Sequence, residues 1–246
     1  MALSSNSLIH FTDSLENLLG IMEHGFRVKY CRENFSLKGD EEVLHVPMVS
    51  FCDIPFSQIR NHIESYGCYG VGLSKEWAIR NRLNPVLYVQ SKSVFAESYY
   101  ALMQYLHDKE KLGKLDKEPR RLGLEVVRYI KNYEGILRRK GKEPKQYRFS
   151  DEREWRYVPE ENTNFPPIYT PEVFEAKTAE VANEGLGNLH LSFSPKDVSY
   201  IIISGDHEIK DVSAHLTATK DNEYTSYEKQ LLMTRIITNE QIQGDF

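Results

Sequence analysis

The sequence predicts an α+β fold, one domain over residues 1–246 with a mixed, largely antiparallel sheet at its core. Three observations carry this. Strand-like and helical segments interleave without the regular strand–helix rhythm of a doubly wound fold. No glycine-rich turn of the G-x-G-x-x-G kind follows the first strand. Two helical stretches over about 94–139 stand together as an insertion between sheet strands.

The elements follow in chain order. Ser7 to Thr12 alternates as a strand, with Ile9 and Phe11 on one face and Leu8, His10 and Thr12 on the other. Asp13, with Glu16 three residues on, reads as the cap of a helix whose stripe is Leu15, Leu18, Leu19 and Met22, closed by Gly25. Val46 to Cys52 is a strand, and Asp53 reads as the cap of a helix carrying Phe56, Ile59 and Ile63, ended by Gly67. Tyr69 to Leu73 is a strand with close backbone packing at its glycines. Ser74 caps a helix to Arg82, and Val86 to Val89 is a further strand. Charged helices span Val94 to Leu112 and Arg121 to Arg139. Residues 160–187 are irregular, with a short helix near Pro171 to Asn183. His190 to Phe193 and Val198 to Ile203 are strands, Asp206 caps a helix to Ala218, and Leu231 to Thr238 is the last strand.

Hydrophobic residues at 40% and charged residues at 27% exclude wholesale disorder. The formal net charge of -5 argues against a generic nucleic-acid coat, while a local basic patch stays open. The best such patch, Arg138-Arg139-Lys140-Gly141-Lys142 with Lys145 and Arg148, is interrupted by Glu143 and reads as a solvated loop. Cys31, Cys52 and Cys68 have neither disulfide nor zinc spacing. With no basic, apolar leader and no segment of membrane-spanning length, the expected location is the cytoplasm.

The stretch Asp151 to Val158 carries the most chemistry. As a strand it sends Glu152, Glu154, Arg156 and Val158 one way and Arg153, Trp155 and Tyr157 the other, the second set being the packing face. Two carboxylates with Arg156 as counter-ion can hold one carboxylate ionised against a sugar hydroxyl or a developing positive charge. A solvated edge strand with a surface ion pair is the plainer alternative. His10 and Thr12 can meet a ligand hydroxyl, or His10 can be a satisfied histidine of a half-buried sheet. Tyr66 and Tyr69, among Gly67, Gly70 and Gly72, offer stacking faces or ordinary core packing. Asp53 fits a helix cap, and Cys52 a buried thiol.

Leu8-Ile9-His10-Phe11-Thr12, Phe51-Cys52-Asp53-Ile54-Pro55, Tyr66-Gly67-Cys68-Tyr69-Gly70-Val71-Gly72-Leu73-Ser74-Lys75-Glu76-Trp77 and Asp151-Glu152-Arg153-Glu154-Trp155-Arg156-Tyr157 together resemble the AbiGi family over most of the chain. The resemblance implies the antitoxin component of a bacterial abortive-infection system, with a nucleotidyltransferase-like toxin, or its gene, as partner. The charged helical insertion is the expected partner surface. A histidine in the first strand, a tyrosine-bearing central strand and a late Glu-Trp-Arg strand also resemble ADP-ribosyltransferase-like domains. That likeness implies NAD as a possible cofactor. His10 would bind a ribose hydroxyl, Tyr69 would stack on nicotinamide, and Glu154 or Glu152 would stabilise the oxocarbenium-like transition state. The chain departs from that pattern in lacking a Ser-Thr-Ser segment. Three functions follow as expectations: an antitoxin on a transferase-like fold, an active NAD-dependent ADP-ribosyltransferase, and a nucleotide-binding module without turnover.

Overall fold

A computed structural model describes residues 5–37, 40–59, 63, 66–137, 143–160, 164–219 and 223–245. The basic run at 138–142 lies outside the described residues. Strands β1 (Ser7–Thr12), β2 (Phe26–Arg27), β3 (Lys29–Leu37), β4 (Asp40–Cys52) and β5 (Tyr69–Ser74) come from the first third of the chain. β6 (Asn84–Pro85), β7 (Leu87–Val89), β8 (Ile130–Asn132), β9 (Gly135–Leu137) and β10 (Lys145–Tyr147) surround or belong to the insertion. β11 (Glu154–Tyr157), β12 (His190–Leu191), β13 (Val198–Ile203) and β14 (Ile236–Thr238) complete the set.

The central sheet runs β14-β13-β5-β1-β4-β11-β6, with β3 also paired to β4. Only β13 and β14 pair in parallel among these strands, so the sheet is mixed and mainly antiparallel, and the α+β expectation holds. The sheet draws strands from residues 7 to 238. No helix among the described residues is long and apolar enough to cross a membrane.

Alternation gives the sheet two unlike faces. Leu8, Phe51, Val71, Leu73, Ile201 and Ile203 enter the main core beneath Leu18 and Met22 of the helix Leu15–His24 and Val212 and Leu216 of the helix Ile209–Ala218. Ile9, Ile54, Ile59, Ile202 and Ile242 build a second core. A third, of Phe35, Leu37, Val89, Ala96, Tyr99, Val127 and Ile130, joins β3 to the insertion.

Several expectations are corrected. The first helix is capped by Ser14, whose hydroxyl accepts from the Asn17 N–H at 3.2 Å, and not by Asp13. Asp53 caps no helix among the described residues; it accepts from the Ser5 N–H and the Lys75 ammonium, each at 2.8 Å, and ties the N-terminal segment to the helix Lys75–Arg80. Among its described residues the insertion is helical over Val94–Lys111 and Lys117–Val127, and Ile130–Asn132 and Gly135–Leu137 are the strands β8 and β9 in place of the expected continuing helix. β7 pairs with β8 in a small separate sheet. Near the C-terminus, Ser226–Met233 is a helix held by a Thr225–Glu228 capping box, and only Ile236–Thr238 is strand.

Candidate functional site

The acidic octet divides into a turn and a strand. Phe149–Glu152 forms a 3₁₀ turn, Arg153 adopts a left-handed conformation at φ 46°, and β11 begins at Glu154. That left-handed residue breaks the uniform strand expected over Asp151 to Val158, yet Glu152 and Glu154 still converge. β11 lies between β4 and β6, and Glu152, Glu154 and Arg156 are all buried, which overturns the solvated edge strand. Trp155 and Tyr157 do pack against the main core, but less deeply than the charged side chains opposite them. The supposed packing face is therefore the less buried of the two.

The carboxylates meet a cation that arrives from the insertion. Lys131 Nζ of β8 lies 2.9 Å from Glu152 Oε2 and also donates to Glu154 Oε2. Arg156 Nε donates to Glu154 Oε1 at 2.5 Å, and its Nη2 to Glu33 Oε2 at 2.8 Å. Arg156 Nη1 donates to the carbonyl of Arg128 at 2.9 Å, so the guanidinium also grips the insertion's backbone. Ser50 Oγ donates to Glu154 Oε1 at 2.9 Å, and the Tyr66 hydroxyl donates to Glu152 Oε1. All four carboxylate oxygens thus accept a donor, as buried charges require.

Burial alone would raise the Glu154 carboxyl, but Arg156 and Lys131 outweigh it and hold the group down at about 2. Burial likewise opposes the Lys131 charge, and Glu154, Glu152 and Glu33 carry its ammonium well above the ordinary value. At neutral pH the acid is a poor proton donor and the amine a poor base. The arrangement can hold charge and anchor elements, and neither Glu154 nor Lys131 is poised for proton transfer.

The sheet separates the expected site residues into two sets. Ile9 lies opposite Cys52, and Cys52 opposite Glu154, so these three share one face. His10, next to Ile9, projects to the other face, where its ring centroid lies 5.1 Å from that of Phe26 and 5.7 Å from that of Phe51. Thr12 pairs with Tyr69 on His10's face. The Tyr69 hydroxyl donates to Glu208 Oε1 at 2.7 Å, and this bond, with burial, pushes it up to about 12. Burial lowers His10, although its Nδ1 bond to the Ser50 carbonyl at 2.8 Å works the other way, so the ring is neutral at pH 7. Glu152, Glu154, Tyr66 and Arg156 come together; His10, Thr12 and Tyr69 do not join them.

The cluster also contains Lys131 and Glu33, which sequence reasoning did not single out, and Ser50, which lies in the candidate stretch Ser50 to Pro55 without a role of its own. Their only signal was indirect. A buried acidic pair demands a cation, but nothing local to the octet says that it arrives from β8, more than twenty residues upstream.

Fold and site together define an α+β protein whose acidic strand is an internal ionic tie between a central sheet and an inserted helical segment. Residues 24–204 match the family model described as "Putative abortive phage resistance protein AbiGi, antitoxin", and the chain belongs to the AbiGi family. A protein of Lactococcus lactis subsp. cremoris named "Abortive phage resistance protein AbiGi" is 27% identical over 245 residues, covering 89% of this chain and 94% of that one. No solved structure matches the chain.

Proposed function

We propose that the protein is the antitoxin of a cytoplasmic abortive-infection pair and acts by binding its partner, not by consuming NAD. The observation that carries this is the match of residues 24–204 to a family described as an antitoxin. The geometry adds support. An ADP-ribosyltransferase of the expected layout needs His10 and Glu154 on one ribose, and β-sheet alternation puts them on opposite faces.

The partner in this reading is a nucleotidyltransferase-like toxin, docking on the insertion. The helix Val94–Lys111 buries Ala96 and Tyr99 but leaves Val94, Phe95, Leu102 and Tyr105 exposed, the last two at 49% and 57%. Phe95, Leu102 and Tyr105 recur at spacings of seven and three, a stripe suited to a partner helix or groove. Co-expression with the product of the adjacent gene, as the candidate toxin, tests the proposal. Restored growth with a co-purifying complex is expected; continued toxicity, or growth restored only through lowered toxin expression with no complex, contradicts it.

A further inference from the structure

A cleft of about 570 Å³ opens at the end of the sheet where β11 leaves the core, and neither the ionic tie nor the partner helix uses it. It draws on three parts of the chain: the turn Arg80-Asn81-Arg82, the end of the insertion at Glu125 and Tyr129, and the segment Tyr157 to Glu160. Phe165 and Leu189 add apolar wall. Its size is that of a small-molecule site, about 300 to 1,000 Å³.

The chemistry of its lining is asymmetric. Tyr129, Tyr157, Phe165 and Leu189 offer apolar and aromatic surface, while Arg80 and Arg82 supply guanidinium forks. The nearby acids do not cancel these forks equally. Glu125 is engaged by the fully buried Arg128 at 2.7 Å, whose Nη2 also donates to the carbonyl of Pro159 at 2.8 Å, so the cleft floor is fixed from beneath. The Arg82–Glu160 pair is 80% and 79% exposed, a solvent-screened contact that is weak and readily exchanged for a ligand. Arg80 meets Asp197 through Nη2 at 2.6 Å, leaving the rest of its fork. Arg82 is held at φ 60°, a conformation that non-glycine residues adopt at a cost and that concentrates at ligand sites.

We propose that this cleft binds a nucleoside phosphate, its base against Tyr129 and Tyr157 and its phosphate on Arg80 and Arg82. Forked guanidinium donors match phosphate oxygens in pairs, and tyrosine faces accept a base without regard to sequence. The ligand source is either a free mononucleotide or the 5′-phosphorylated end of a nucleic-acid strand, which present the same chemistry.

Isothermal titration of the full chain with AMP, GMP, CMP, UMP, adenosine and inorganic phosphate tests this, with a 5′-phosphorylated dinucleotide as a second arm. At least one mononucleotide is expected to saturate a single site, about tenfold or more tighter than adenosine or inorganic phosphate. Tighter binding of the dinucleotide assigns the strand end; equal or weaker binding assigns the free nucleotide. Arg82→Gln and Tyr129→Leu should each weaken binding with the thermal midpoint retained, which separates ligand loss from unfolding, and Arg80→Lys, which keeps a charge for Asp197 but loses the fork, should weaken it too. No saturable binding by any nucleotide, binding indifferent to both arginine variants, or inorganic phosphate binding as tightly as the nucleotides would overturn the proposal.

Discussion

His10 and Glu154 lie on opposite faces of the central sheet and are joined through one residue: Ser50 accepts from His10 Nδ1 with its carbonyl and donates to Glu154 Oε1 with its hydroxyl. The two residues that a transferase would aim at one substrate are thus back to back. Wild type, His10→Ala and Glu154→Gln should all show the same background NAD turnover. Turnover above background in wild type, lost in both variants, would restore an enzymatic reading.

The ionic tie makes stability depend on acid in a defined direction. Glu154 has its folded pKa depressed from 4.5 to about 2, so it contributes stability that is fully present above about 4.5 and is lost as pH falls toward 2. Urea melts between pH 5 and pH 2 should show that decline in wild type and a shallower one in Glu154→Gln. Parallel profiles would show that Glu154 is not held as a charged partner.

Much of the fold was legible because local pattern and tertiary role agree. Alternation in Ser7 to Thr12 and the buried β-branched run Val198 to Ile203 gave both strands with their boundaries, and Ser74 and Gly25 mark helix ends by cap chemistry. Pattern failed where an apolar run has two readings. Leu231-Leu232-Met233 read as strand, although the Thr225–Glu228 capping box sat in plain view. In the site, the convergence of Glu152 and Glu154 on a counter-ion was readable, whereas their burial was not. The cation that permits burial, Lys131, comes from a strand that the sequence reads as helix.

Gly67 is fixed by backbone geometry. Its φ is 111°, and a Cβ there would lie 2.2 Å from the Thr12 carbonyl oxygen, so Gly67→Ala must shift either the turn or β1. A loss of about 2 to 4 kcal/mol in denaturant melts is expected, above the usual point-mutant cost. A neutral effect would mean that the turn before β5 is free to move.

The exposed stripe on the insertion should separate binding from folding. Leu102→Ser and Tyr105→Ser combined remove side chains that are 49% and 57% exposed, so the thermal midpoint should stay within a few degrees while toxin co-purification is lost. Retained co-purification would place the partner elsewhere.

The most direct measurement is a double-mutant cycle on Lys131 and Glu154. Lys131→Met alone takes the shared ammonium from two buried carboxylates, leaving Glu154 with Arg156 and Ser50 and Glu152 with the Tyr66 hydroxyl, and Glu154→Gln alone leaves Lys131 and Arg156 under-compensated, each at a cost of about 3 to 5 kcal/mol. In the double variant the removed charges cancel. The buried tie predicts that the combined loss falls short of the sum of the singles by about 2 kcal/mol or more. Additive losses would contradict it, since two residues that do not hold each other in the interior have nothing to restore.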